Sequence, residues 1–260
     1  MFLPYTYSQT GTVKHENFKT CAQSGFCARN RAFADEANRH GSGWTSAYAL
    51  DGSSITLKDG SLNGIIHKTT QSGEIVRLPL TIHFLSSGAA RVTVDEEKRA
   101  KGEIELRHDS RARKERYDAS EFVLVGGLDK SKTAAFVKTE QEGTTRVSFG
   151  AGGKHEAVIK HAPFGIEFLR DGEVQIVLNE RGLMNVEHWR AKVDSPKVED
   201  GAEETEEARE ETWWDESFGG NTDSKPRGPE SVALDITFPG YDHVFGIPEH
   251  TGPLSLKQTR

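Results

Sequence analysis

The chain has 260 residues, with 33 basic and 40 acidic side chains and a net charge of −7. This length allows one large β domain or two small ones, and the negative charge argues against a nucleic-acid partner held through phosphate contacts. The sequence has no run of 18 apolar residues, so we expect no membrane span. Met1 to Thr10 has neither a basic start nor an apolar core, so we expect no signal peptide there.

One helix and many short strands are predicted along the chain. A helix is predicted over Asn30–Asn38. Alternating apolar residues predict a strand over Val76–Phe84, which turns at Ser86–Gly88 into a returning strand. Pro79 cannot donate to a ladder, so this strand is expected at a sheet edge or to carry a bulge. A second hairpin turns at Asp171-Gly172.

Weaker strand patterns complete an all-β prediction. They cover Ser54–Leu57, Phe122–Val125, Ala134–Lys138, Thr145–Phe149, Glu156–His161 and Val232–Phe238. Gly150–Gly153 lacks the ending of a phosphate-binding loop and is predicted as a hairpin turn. Many short strands with glycine turns are typical of a β-sandwich.

An acidic segment interrupts this pattern. Ten acidic residues lie between Glu199 and Glu216, and Arg209 is the only basic residue among them. Such a run repels itself and buries nothing, which predicts an insertion at about 194–222. The two large aromatic side chains of Trp213-Trp214 at its end would not be left in water, so we expect the insertion to dock back there, with Trp214 and Phe218 substantially buried.

The sequence carries no recognisable catalytic or metal motif. A glycosidase needs two carboxylates that face each other across a sugar, and no acidic residue here lies in a motif that pairs it with another. His243, Glu249 and His250 do not have the spacing of a known ligand set, and Gly246 and Pro248 between them indicate a turn. We therefore expect no metal and no cofactor.

Only two cysteines occur, Cys21 and Cys27. Their spacing fits neither a redox pair nor half of a zinc site. A small disulfide loop that turns at Gly25 and two free thiols in a reducing compartment are equally compatible with the spacing alone.

Three stretches resemble the α-glucosidases of glycoside hydrolase family 31, and within it the glucosidase II α subunits. Asn17–Arg31 is similar to the cysteine-loop opening of that family, and Asn179–His188 to the segment before its variable acidic insertion. The third stretch runs from Trp214 to His250. It ends in Phe245-Gly-Ile-Pro-Glu, a variant of the family signature Tyr-Gly-Leu-Gly-Glu.

The resemblance implies a galactose-mutarotase-like β-sandwich packed on a (β/α)₈ barrel. A barrel needs about 250 residues of its own, so we expect the barrel to be absent from this chain. The implied division is an extension with the cysteine loop over 1–45 and a sandwich domain over 46–260. The family's two catalytic aspartates belong to the barrel, so no catalytic residue is assigned here, and the substrate-binding residues stay unknown.

The resemblance also implies a function and a location. The holoenzyme would be a retaining α-glucosidase of the endoplasmic-reticulum lumen that removes α-1,3-linked glucose from immature N-glycans, and this chain alone would be inactive. The expected partners are the barrel fragment of the same polypeptide, a regulatory β subunit and the N-glycan. The alternative is an independent carbohydrate-binding or protein-interaction sandwich, which fold alone does not exclude.

The oxidising lumen implied by this resemblance favours a Cys21–Cys27 disulfide. Mass spectrometry of the native protein after alkylation without reduction should therefore find neither thiol modified. Alkylation of both thiols in the folded protein would contradict the bridge.

Overall fold

The computed structural model describes residues 19–20, 23–97, 123–137, 143–188, 214–225, 228–246 and 253–256. One α-helix, α1 (Gly25–His40), precedes the strands. The strands within the described residues are β1 (Tyr48–Lys58), β2 (Ser61–Thr69), β3 (Ile75–Phe84), β4 (Ala90–Val94), β5 (Ala135–Val137), β6 (Thr144–Phe149), β7 (His155–Lys160), β8 (Gly165–Arg170), β9 (Glu173–Leu178), β10 (Asn185–Val186), β11 (Asp215–Phe218), β12 (Asn221–Ser224), β13 (Val232–Ala233) and β14 (Ile236–Thr237).

The chain forms two units, each built from two separate segments. Unit 1 combines Met1–Asp35 with Glu187–Ser231, and unit 2 combines Glu36–Val186 with Val232–Arg260. The division that the resemblance implies, at residues 45 and 46, stays a prediction.

Unit 2 is a β-sandwich, which confirms the predicted all-β fold. One sheet has the order β1-β2-β3-β4, and the other has the order β14-β9-β8-β7-β6-β5. Side chains of both sheets form a single buried cluster, in which the rings of Phe84 and Phe149 lie 4.8 Å apart. This shared apolar layer is what makes the two sheets one domain.

The alternation predicted around Val76–Phe84 is confirmed in β3. Its buried side chains are Leu78, Leu80, Ile82 and Phe84, and the residues between them are half-buried. The expectation of an edge or a bulge at Pro79 is wrong. β3 lies between β2 and β4, and its register with β2 is continuous through Pro79.

Pro79 is tolerated there because of where the ladder to β4 ends. Its carbonyl accepts a hydrogen bond from Asp95 N at 3.0 Å, just after Val94, the last residue of β4. The N–H and C=O groups of one strand residue point to the same side, so the missing N–H of Pro79 faces the end of that ladder. The sheet therefore loses at most its terminal hydrogen bond.

Among the other local predictions, one hairpin is confirmed and one strand is wrong. The hairpin β8–β9 is confirmed, with positive φ angles of 50° at Asp171 and 83° at Gly172.

Two other regions differ from the prediction. The pattern does not predict β2, because Asn63, Gly64 and His67 interrupt its apolar residues. A strand at Val123–Val125 is wrong. These residues are exposed and lead into Gly126 and Gly127, both with positive φ, so the chain turns instead of pairing.

Unit 1 contains the first turns of α1 and the hairpin β11–β12. Trp214, directly before the hairpin, is buried with 6% exposure, as predicted, whereas Phe218, which was also expected to be buried, is half-buried. Residues 194–213 of the predicted insertion and Cys21 lie outside the described residues. The extent of the insertion and the Cys21–Cys27 pairing therefore stay predictions.

Asn179 fixes the loop between β9 and β10 within unit 2. It adopts a left-handed φ of 61° and is 5% exposed. Its side-chain amide donates to the carbonyl of Phe164 at 2.6 Å, and its side-chain oxygen accepts from Met184 N at 2.7 Å. One side chain thereby satisfies two backbone groups of the sandwich interior.

Asn179→Ala should destabilise the protein by about 3 kcal/mol, because both backbone groups lose their partner and alanine tolerates this φ poorly. Urea denaturation followed by circular dichroism measures the effect. Asn63→Ala, at an exposed position of β2, is the matched control and should change the unfolding free energy by less than about 1 kcal/mol. Equal effects of the two substitutions would contradict this role of Asn179.

Candidate functional site

The described residues contain no cluster suited to catalysis by a metal. No group of three or more His, Cys, Asp or Glu side chains in this part of the chain could hold a metal ion. Nδ1 of His243 lies 3.1 Å from Oγ of Ser255, and Glu249 and His250 lie outside the described residues.

None of the helices in the described ranges is long and apolar enough to cross a membrane.

The feature of unit 2 that stands out is its exposed apolar C-terminal segment. Twelve large apolar side chains are exposed among the described residues, and six of them lie between residues 232 and 254. We call these six the C-terminal apolar residues: Val232 (48% exposed), Leu234 (41%), Ile236 (50%), Tyr241 (57%), Phe245 (66%) and Leu254 (82%). Scattered exposed apolar residues are ordinary, but half of them within one short segment indicates a docking site.

Asp235 places this segment on the sandwich. Its carboxylate accepts hydrogen bonds from Arg181 N at 2.8 Å and Leu183 N at 2.9 Å, and its carbonyl accepts from Asn179 N at 2.9 Å. The flanking strands β13 and β14 pair with β10 and β9 respectively. The backbone around Leu234 and Ile236 is therefore fixed although their side chains are exposed.

Polar contacts also fix the end of the segment. The hydroxyl of Tyr241 donates to Oε1 of Gln175 on β9 at 2.8 Å, and Leu256 N donates to the carbonyl of Val244 at 2.8 Å. The rings of His243 and Phe245 lie 6.2 Å apart. The exposed side chains of this segment can therefore make apolar contacts with a second surface.

Unit 1 contains a separate group of charged side chains around two carboxylates. Glu216 accepts from Lys225 Nζ at 2.7 Å, Lys19 Nζ at 2.9 Å and Gly25 N at 3.0 Å. Gly25 begins α1, so the carboxylate lies where the helix dipole favours negative charge.

Glu187 joins α1 to Ser231. Arg29 donates to both of its carboxylate oxygens, through Nε and through Nη2, the latter at 3.1 Å. The backbone N–H of Ser231 donates to the same carboxylate at 3.0 Å, and the hydroxyl of Ser231 donates as well. Each carboxylate thus binds donors from both chain segments of unit 1.

These contacts shift both carboxyl groups toward the ionised form. Hydrogen bonds from Lys225, Gly25 and Lys19 lower the pKa of Glu216 to about 2. Burial raises the pKa of Glu187, but hydrogen bonds from Arg29 and Ser231 outweigh burial and hold that pKa below its ordinary value. Neither group is suited to act as a proton donor at neutral pH.

The sequence predicted the strand of the C-terminal segment but not the roles of the two carboxylates. The pattern at Val232–Phe238 predicted a strand, and the structure has β13 and β14 there, separated by Asp235. The roles of Glu187 and Glu216 had no local signal, because their partners Arg29 and Gly25 are 158 and 191 positions away in the chain.

Comparison with known proteins gives a family match over most of the chain. The model of the "Glycosyl hydrolase 31 N-terminal galactose mutarotase-like domain" matches residues 79–260. The glucosidase 2 α subunit of Schizosaccharomyces pombe is 36% identical over 256 residues, which cover 96% of this chain and 26% of that protein. The chain therefore spans about a quarter of the length of this curated relative.

Solved structures agree with this match. A glucosidase II α subunit bound to alpha3-Glc2 is 56% identical with a TM-score of 0.79, covering 94% of this chain and 25% of that one. The catalytic subunit in a heterodimeric ER glucosidase II complex, solved with the binding domain of the regulatory subunit, is 56% identical with a TM-score of 0.78, at the same coverage.

Stability should depend on pH through Glu216. A lowered pKa in the folded state stabilises the protein fully above the unfolded value near 4.5, and this contribution is lost as the pH falls toward about 2. Glu216→Gln should therefore be less stable than the wild type at pH 6, and the difference should shrink between pH 4.5 and 2. Fluorescence-detected urea transitions at several pH values measure it, and a difference independent of pH would contradict the charge effect.

Proposed function

The chain belongs to the glycosyl hydrolase 31 N-terminal galactose mutarotase-like domain family, and from this premise we propose that it serves as the non-catalytic N-terminal part of an α-glucosidase of the glucosidase II type. Its role is to brace a catalytic (β/α)₈ barrel. The observation that carries the proposal is the family match over residues 79–260 in a chain whose described residues form a sandwich and not a barrel.

The C-terminal apolar residues support this role physically. An independent module should be polar all round, whereas a bracing domain exposes apolar side chains to its partner. Phe245 and Leu254, at 66% and 82% exposure, are well placed for contact with a second folded part. Permanent interfaces of this kind bury more than about 2,000 Å².

The proposed holoenzyme removes α-1,3-linked glucose from immature N-glycans in the endoplasmic-reticulum lumen. The alpha3-Glc2 bound to the similar α subunit supports the linkage, and the ER complex supports the location. That complex also supports a regulatory β subunit as a further partner. In this proposal the catalytic residues belong to the barrel, and residues 1–45 and 46–260 form the extension and the sandwich domain.

A chimaera tests the bracing role. This chain would replace the matching quarter of the Schizosaccharomyces pombe relative, and hydrolysis of an α-1,3-linked disaccharide would be measured. The chimaera should be soluble and active, and the isolated 260-residue chain should show no hydrolysis above the buffer control.

Substitution of Phe245 and Leu254 by aspartate in the chimaera should lower the yield of soluble, active enzyme at least severalfold. The matched control substitutes Val123 and Val125, which are 69% and 103% exposed and lie outside the C-terminal segment, and should change little. Turnover by the isolated chain that disappears when one of its acidic residues is mutated would overturn the proposal.

A further inference from the structure

Charged contacts join the two chain segments of unit 1 within its described residues. Among its described residues, Trp214 and Pro229 are the apolar side chains that are buried, whereas the sandwich of unit 2 has a large apolar cluster. Hydrogen bonds between its two chain segments converge on Glu187 and Glu216 in the described residues. A region with little apolar burial is expected to open locally at a lower free energy than the rest of a protein.

The two carboxylates differ in their access to water. The side chains of Glu187 and Arg29 are each 9% exposed, and their contact is bidentate. Removing one partner of such a pair leaves a buried charge and is costly. Glu216 is 20% exposed, and its partners Lys19 and Lys225 are 30% and 23% exposed, so salt weakens these pairs far more.

The hairpin β11–β12 itself packs loosely on the segment that carries Lys19. An open depression of about 370 Å³ lies at this contact, lined by Lys19, Glu216, Phe218, Asn221, Thr222 and Asp223. Besides the Glu216 pair, the contact includes Lys19 Nζ, which lies 5.8 Å from the centre of the half-buried Phe218 ring. An isolated two-stranded hairpin is marginally stable in water, so these contacts and the buried Trp214 before β11 contribute to its closure.

The two ends of this hairpin region are fastened differently. At Ser231, Glu187 binds the backbone and the side chain, and Glu187 N donates to the carbonyl of Ser231 at 2.9 Å. At the strand β11 end, Glu216 alone among the described strand residues accepts from both Lys19 and the first residue of α1. The attachment through Glu187 is shielded from water, whereas the attachment through Glu216 is more accessible to it.

We propose that the hairpin β11–β12 is a strap that opens and closes over the first turn of α1. Glu216 is its charge-dependent latch, and the Glu187–Arg29–Ser231 group is its fixed base. In the closed strap the Glu216 carboxylate covers Gly25 N, and in the open strap Lys19 and this N–H are released to solvent, while Lys225 stays beside Glu216 on the hairpin. Ionic strength sets the balance between the two states.

Hydrogen exchange measured by mass spectrometry on the 260-residue protein tests the strap at 0.05 M and 0.5 M NaCl. Over this range the Debye length falls from about 14 Å to about 4 Å. Peptides over 214–225 should exchange about two- to tenfold faster at high salt, since each screened pair contributes modestly. Peptides over β6–β8 should not change.

Variants separate the latch from the base. Glu216→Gln keeps an oxygen that can accept from Gly25 N but removes the charge, so the hairpin should exchange faster at low salt and lose its salt dependence. Glu187→Gln should accelerate exchange in the hairpin and in residues 25–35 at both salt concentrations. Lys19→Gln, which removes the cation that Glu216 binds on the other chain segment, should give a smaller effect of the same kind as Glu216→Gln, which keeps the test valid if Glu187→Gln fails to fold.

Glu173→Gln is the matched control, because it removes one exposed carboxylate from the hairpin β8–β9 of the sandwich. Backbone hydrogen exchange of the Glu173→Gln variant should match that of the wild type at both salt concentrations. Salt-independent exchange of the wild-type hairpin, unchanged exchange in Glu216→Gln, or equal acceleration of the hairpin and the sandwich would each overturn the proposal.

Discussion

The apolar layer between the two sheets of unit 2 is the constraint on which the rest of that unit depends. Alternate side chains of β3 enter it from one sheet, and those of β6 to β8 enter it from the other. A one-residue slip in any of these strands would turn its apolar side chains toward solvent. The register is therefore fixed by burial, and even Pro79 is accepted in an interior strand because its missing N–H falls at the end of a ladder.

The polar loops attached to this layer fix the backbone around Asp235. Asn179 satisfies the carbonyl of Phe164 and the N–H of Met184 inside the sandwich, and Asp235 satisfies two further N–H groups of the same loop. Leu234 and Ile236 stay exposed on a fixed backbone, which suits them to dock against a preformed partner with little loss of conformational entropy.

Local patterns predicted the parts of the fold that local physics decides. The alternation in β3 and the Asp171-Gly172 turn depend on neighbours in the sequence, so both could be predicted. β2 could not, because its polar residues are tolerated only through pairing with β1 and β3. The apolar run at Val123–Val125 predicted a strand wrongly, because a strand and an exposed turn can have the same short apolar pattern.

The carboxylates show why function could not be derived from composition. Acidic residues are abundant in the sequence, yet Glu187 and Glu216, which gather several donors each in the described part of the chain, are held ionised by arginine, lysine and backbone N–H groups. A general acid of a glycosidase needs the opposite environment, one that raises its pKa. The same charge that excludes these groups as general acids suits them to hold distant chain segments together. Their role thus follows from their partners and not from their residue type.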